Sequence, residues 1–198
     1  GGITDSDTQE IAGVTTLAAG SGNDITLNTS TNNFAAAVVI TSGRNVAIID
    51  EATIDLGAST VSGTYAVTAT TGDITDSGNL AITGAATFIT TAAGRDIILD
   101  QSGNVFTSTV TMQAGNGSNA AFDDITFVDS AAVRLHSSAA SAGDLYINAS
   151  TDGAVGGDLS ITATTGNITQ GSEVAVGGTT TLVTSANDAT ITLNDADN

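Results

Sequence analysis

The sequence predicts an all-β fold, a right-handed parallel β-helix (a solenoid) of about nine turns, each holding about 22–23 residues and three short strands. Three observations carry this. Apolar residues come in short beats separated by Gly, Thr, Ser, Asn and Asp, as in Ile74, Leu80-Ala81-Ile82, Phe88 and Ile97-Ile98-Leu99. No beat is long enough for a helix, and the alternation has the two-residue period of a strand. The stretch 69–100 recurs near the C-terminus at an offset of 94, with Ile74, Phe88 and Leu99 matched by Ile168, Leu182 and Leu193. A weaker copy opens the chain, where Ile3, Ile11 and Leu17 precede Ile74, Ile82 and Phe88 by 71.

Within these repeats the beats recur at turn length. Ile3 to Ile25 is 22 residues, and Leu17 to Ile40, Ile25 to Ile48, Ile74 to Ile97, Leu159 to Leu182 and Ile168 to Ile191 are each 23. The offsets 71 and 94 then read as three and four units, and their difference as one whole extra turn, which a solenoid tolerates because each turn touches only its neighbours. Leu159 is expected to stack on Leu182, Ile168 on Ile191 and Ile74 on Ile97. Right-handed crossover is the default for parallel connections. Glycines in Thr71-Gly72-Asp73 and Thr165-Gly166-Asn167 are expected to supply positive φ at corners. Asp or Asn precedes a beat repeatedly (Asp24-Ile25, Asn45-Val46, Asp73-Ile74, Asp96-Ile97, Asp124-Ile125, Asp158-Leu159, Asn167-Ile168), as a side chain that caps backbone amides would. The stretch 107–142 is less regular, with 115–119 as its expected loop excursion.

Composition excludes several function classes. The chain has 198 residues, no Cys, no Pro and no Trp, and its three cations are Arg44, Arg95 and Arg134. Disulfides, thiolate chemistry, Schiff bases and Lys–Asn cross-links are therefore ruled out. A net charge of −18 repels nucleic acid and anionic membrane, and the longest apolar run, 34–40, is far too short to span a bilayer. Regular Ile, Leu, Val and Phe argue against disorder. The sequence opens on Gly1-Gly2 and closes inside a repeat, so residues 1–198 read as one solenoid segment of a longer repetitive chain or filament.

The pattern Gly-Asp/Asn-Ile-Thr, an apolar pair, Gly, Thr-Thr-Leu, Ala-Gly and Asp-Ile-x-Leu is clearest in 72–100 and 166–194. It resembles the β-helical repeats of filamentous-haemagglutinin-like and autotransporter-type secreted adhesins of bacteria. That resemblance implies secretion, an extracellular or cell-surface location and a stalk role, and it transfers no binding residue.

Candidate chemistry is sparse. His136, the single histidine, has Ser137 and Ser138 only as sequence neighbours and reads as an outward-facing strand residue that alanine can replace. Asp123-Asp124 are adjacent strand residues facing opposite sides. A carboxylate pair for polysaccharide hydrolysis would need aromatic platforms, and two Tyr with no Trp do not supply them. Calcium is the most credible ion, with Asp5, Asp7, Asp195 and Asp197 as candidates, although neither cluster has EF-hand spacing. Thr-x-Thr rows such as Thr190-Ile191-Thr192 do not recur on every turn as an ice-binding face would require. The N-x-Ser/Thr sequons at Asn28, Asn116, Asn148 and Asn167 are of a kind that an Asn- and Thr-rich chain generates by chance.

The functional expectation is a non-enzymatic structural stalk or filament subunit with no bound cofactor, its partners further copies or repeats of itself end to end. Terminal turns of ordinary repeat sequence, with no cap, carry that expectation. Alternatives are a surface-layer or sheath protein, a module that adheres to host or surface glycans or proteins, and a polysaccharide-active enzyme.

Overall fold

The computed structural model of the protein describes residues 1–115, 123–136, 144–147 and 154–196. Among these residues there is no helix, and the strands pair parallel to their counterparts one turn away. One face runs from Ile3–Thr4 through Ile25–Leu27, Val46–Asp50, Tyr65–Ala69, Ala86–Thr90 and Val110–Gln113. A second carries Ile74–Asp76, Ile97–Leu99, Ile125–Asp129, Leu159–Ala163 and Thr180–Thr184. Strand Ile54–Val61 rounds a corner: residues 54–56 pair with Ile74–Asp76 and residues 59–61 with Leu80–Ile82 on the third face. The 24 strands stack into about eight turns, a rod on the order of 40 Å long at ~4.8 Å per turn.

The inward positions alternate with outward ones along each strand, as the apolar beats require. Ile25, Ile40, Ile74, Phe88, Ile97 and Phe127 are all within 1% of complete burial. Each isoleucine so buried contributes roughly 1.5–3 kcal/mol. Aromatic rings stack along the axis, with Tyr65–Phe88 centroids 5.8 Å apart, Phe88–Phe106 6.1 Å and Phe106–Phe127 5.2 Å. The first two contacts are edge-to-face, the favoured geometry for rings carrying opposed quadrupoles.

Register confirms most of the expected stacking and corrects the rest. Ile74 partners Ile97, Ile168 partners Ile191, Ile3 partners Ile25 and Leu17 partners Ile40. Leu159, however, faces Thr180, and it is Ile161 that faces Leu182. Ile25 likewise faces Val46 and not Ile48. Both slips are of two residues, which keeps the same side chains inward and so leaves the apolar pattern unchanged. Turn length varies: along the first face successive partners are 22, 21, 19, 21 and 24 residues apart.

The long offsets have a different origin from whole added turns. Ile3 stacks through Ile25 and Val46 to Tyr65, three complete turns, and Ile74 then opens the next face. Ile74 stacks through Ile97 and Ile125 to Leu159, again three turns, and Ile168 opens the next face, beside Val133 and Ile191. Both intervals therefore span three and one-third turns, and each repeat is rotated by one face from the last. The second is longer because its corners are. Ile97 lies 72 residues after Ile25, Ile125 79 after Val46 and Leu159 94 after Tyr65, so chain is added before Ile125 and again before Leu159. Residues 116–122, 137–143 and 148–153 fall in those intervals and lie outside the described residues, as does most of the excursion expected at 115–119. Strand Asp144–Ile147 pairs with both Val110–Gln113 and Val133–His136, joining two faces.

The corner glycines Gly72 and Gly166 serve close approach and not positive φ. Among the described glycines, positive φ occurs at Gly20, Gly94 and Gly115. A Cβ on Gly72 would lie 2.1 Å from the Thr53 amide nitrogen, and one on Gly166 would lie 2.6 Å from the Ala132 Cα, each backbone of the turn below. Gly72→Ala is thus expected to force two turns apart and cost about 2–4 kcal/mol. Ile97→Asp, which buries an unpaired charge, is expected to cost at least about 4 kcal/mol, far more than Thr75→Asp at a half-buried outward position. Urea denaturation of the three variants checks both; equal losses for Ile97→Asp and Thr75→Asp would mean the inward face is misassigned.

Candidate functional site

Polar side chains concentrate at the corners, where the chain must leave one sheet and enter the next. The Asp or Asn before each strand does hold a backbone amide, but that of the next turn. Asp73 Oδ1 accepts from the Asp96 N–H (3.1 Å), Asp96 from Asp124 (2.9 Å), Asp124 from Asp158 (2.6 Å) and Asp158 from Thr179 (2.6 Å). Asp24 and Asn45 hold the amides of Asn45 and Thr64 in the same way, and Asn167 holds that of Thr190. Each side chain satisfies an amide that the corner would otherwise leave unpaired.

A second polar arrangement is buried, and it occurs twice. Asn32 donates its Nδ2 to Asp5 Oδ2 (2.7 Å), accepts the Gln9 amide on Oδ1 (2.8 Å) and accepts the Glu51 amide on its carbonyl (2.7 Å). Asp50, next in the column, takes the amides of Phe34 and Ala52. One repeat later Asn104 donates to Asp76 Oδ2 (2.7 Å), accepts the Leu80 amide on Oδ1 (2.8 Å) and the Ser130 amide on its carbonyl (2.8 Å). Asp129 there takes the amides of Phe106 and Ala131. Asn32 and Asn104 are completely buried. Sequence patterning missed these triads because Asp5, Asn32 and Asp50 look like ordinary loop residues; their recurrence at 76, 104 and 129 was the available signal.

The two sets of carboxylates titrate in opposite senses. Burial pushes Asp50, Asp76 and Asp129 above the ordinary value of 3.8, against the hydrogen bonds they accept. Asp96 is raised by burial too, with the neighbouring carboxylates Asp124, Asp73 and Asp123 adding to it. At Asp24 the Arg44 guanidinium, bonded through Nε and Nη2 at 2.8 Å each, holds the carboxyl down at about 2.

The expected calcium residues are dispersed. Burial would raise Asp5, but amide donors from Asn32, Thr29 and Asn28 outweigh it and hold its pKa below 3.8. Asp7 accepts the Thr8 amide, Asp195 donates its own amide to Gln170 Oε1, and Asp197 lies outside the described residues. Among the described residues no three of His, Cys, Asp and Glu converge as a metal site would require. Asp123 and Asp124 diverge as expected: Asp123 Oδ1 takes the amides of Gly94 and Arg95, and Asp124 Oδ1 that of Asp158.

His136 is buried, at 9% exposure, and does not face outward. Strand Asp144–Ile147 pairs across Arg134 and His136, and Gly171 lies so close that a Cβ would touch Nε2 at 1.8 Å. The ring has Ser172 Oγ 3.4 Å from Nδ1 and Asp144 Oδ2 3.7 Å from Nε2, and Arg134 also reaches Asp144 at 3.4 Å. These are the residue types of a hydrolytic triad. Both ring distances, however, exceed the roughly 2.6–3.2 Å reach expected of an activated nucleophile and its base. The cluster acts as a polar seam between strands, so alanine at 136 is a core truncation there.

At the rod's two ends the apolar core is open. In the last turn Val183, Ile191 and Leu193 are 41–47% exposed, and Val174, Val176 and Leu182 are only half-buried around a cavity of about 190 Å³. In the first turn Ile3, Ile11 and Leu17 are half-buried.

A family model described as repeats of unknown function (DUF5649) matches residues 1–41, 43–113 and 123–198. The chain belongs to this family. The successive matches to DUF5649 agree with the structural repeat: 41 and 113 differ by the same 72 residues that separate Phe34 from Phe106, and the starts at 43 and 123 follow the step from Val46 to Ile125 within one residue. No curated protein and no solved structure matches the chain.

Stability should rise on mild acidification. A carboxyl whose folded pKa is raised binds its proton in the folded state first, so Asp50, Asp76, Asp96 and Asp129 add stability as pH falls toward 3.8. Asp24, held at about 2, acts oppositely, and its contribution is lost only as pH falls from 3.8 toward that value. The midpoint of thermal unfolding is expected to climb from about pH 7 to pH 4.5 and to fall below about pH 3. A steady decline from neutrality downward would show that burial does not govern these carboxyls.

Proposed function

We propose that this DUF5649 chain is a structural segment of an extracellular rod of the stalk or filament type found in bacterial surface proteins, continued at its ends by further repeats. The observation that supports this reading is the pair of uncovered ends. An apolar cavity of about 190 Å³ opens on the last turn, and unpaired strand edges lie at both termini of the stack. Exposed parallel edges with apolar neighbours are templates for more strands of the same kind. The rest of the surface suits a spacer: strongly acidic, with its corner amides held by side chains. Head-to-tail contact between copies is heterologous and does not close, so it builds filaments and not dimers.

The net charge of −18 opposes such contact at low ionic strength, and screening relieves it. Static light scattering and electron microscopy across a NaCl series, with a parallel CaCl2 series at matched ionic strength, test the reading. Apparent mass should rise with salt in both, and fibres should be one rod wide. A monomer at every salt concentration would count against end-to-end assembly of copies.

A further inference from the structure

The cavity at the C-terminal end has two filled counterparts in the same rod. In the first repeat Phe34 stands over Ile11, and in the second Phe106 stands over Ile82. Both phenylalanines are buried, at 1% and 5% exposure. The third repeat places Val176 where Ile82 and Ile11 stand, 94 residues after Ile82. Leu182 takes the place of Phe88, whose ring touches Phe106 edge-on, and Leu193 that of Leu99. Gln170 takes the place of Asp76: its Oε1 receives the Asp195 amide (3.2 Å) as Asp76 Oδ1 receives the Asp100 amide (2.8 Å). The third repeat thus keeps its geometry up to the point where the phenylalanine strand enters.

We propose that the C-terminal end is a socket for a phenylalanine delivered by an extended strand of the sequence type Asn-x-Phe-x-x-x-Val, the fifth strand of this repeat, on a partner chain. Three features of that strand fit. The Phe lies over Val176, in a cavity of about 190 Å³ lined by Val174, Val176, Thr180, Leu182 and Leu193. An apolar cavity of ~150 Å³ already admits a benzene ring. The Val lies over Thr180, as Val38 lies over Thr15 and Val110 over Ala86; in both filled repeats it follows the Phe by four residues. The Asn, two residues before the Phe in both, brings the amide that Asn32 and Asn104 give to Asp5 and Asp76. Pairing is parallel to Ala175–Val176, an instance of strand addition in which the backbone supplies affinity and the pocket supplies specificity. The first turn of a second copy is the poorer occupant: its inward residues are Ile3, Ile11 and Leu17, with no aromatic, and it brings Asp5, Asp7 and Glu10 against Glu173 and Asp195.

This names the partner strand at an end that the rod reading leaves uncovered, and the test separates the two. The probe is a fluorescein-labelled peptide with the sequence of residues 104–113, titrated with the whole 198-residue chain by anisotropy. Binding is expected, and changing the Phe of the peptide to Ala should weaken it at least tenfold. Val176→Asp in the chain should abolish it, while Val14→Asp at the opposite end, 63% exposed, should leave it unchanged. Circular dichroism of both variants confirms that they fold. No binding at millimolar chain, equal binding of the Phe→Ala peptide, or equal loss with folded Val14→Asp would each overturn the socket. Binding without any salt-driven growth of the chain alone would keep the socket and reject self-assembly of copies. Growth with no peptide binding would do the reverse.

Discussion

Every turn must return to its own register, and the rest of this structure depends on that constraint. An inward side chain is buried only because its counterpart lies about 4.8 Å below it and another above. Partners such as Ile25 and Val46, or Ile97 and Ile125, satisfy this although 21 residues separate the first pair and 28 the second. Length can vary because the variation is confined to corners, where no inward side chain is displaced. The strands themselves stay short, with no more than eight residues in the longest, Ile54–Val61, which itself bends round a corner.

Corners are also where backbone amides lose their ladder partners, and the rod meets that cost with side chains from adjacent turns. A carboxylate or amide at position n holds an N–H at the same position one turn on, so the polar columns at the corners run parallel to the apolar columns inside. At a net charge bond worth roughly 1–3 kcal/mol, each such contact is comparable to burying one aliphatic side chain. The columns also bring like charges together. Asp96 is raised by burial and by Asp124, Asp73 and Asp123 around it, and Arg95, 3.9 Å from Asp73, sits beside the same column.

The solenoid was legible in the sequence because period-two alternation and short beats are enforced by the inward face, and Ile74, Ile97, Ile168 and Ile191 announce it directly. Registers were less so: a slip of two residues, as at Leu159, preserves the inward pattern and leaves no trace in hydropathy. The offsets 71 and 94 misled for a related reason. Counting residues cannot distinguish an added turn from lengthened corners, and only the pairing of Tyr65 with Val46 and of Leu159 with Ile125 shows that both intervals contain the same strands. His136 failed differently. Its neighbour Leu135 is inward, so alternation put the histidine outside, and the extra strand Asp144–Ile147 that covers it has no counterpart in the simple period.

The one-third turn has a consequence for the buried acids. Were the repeat a whole number of turns, Asp50 of one repeat would be followed up the same corner by Asp76, and carboxylates desolvated by burial would stack on one another. Rotation by one face prevents this. Above Asp50 the column continues with Ala69 and then Thr90, and above Asp129 with Ala163 and then Thr184. The second Asp–Asn–Asp triad is built instead at the neighbouring corner, from Asp76, Asn104 and Asp129. Within each triad an asparagine separates the two acids and supplies the N–H that a third carboxylate would lack. The buried negative charge is thereby spread around the rod. A ten-strand repeat wound on three faces can carry these triads through many copies without assembling a continuous column of buried acids.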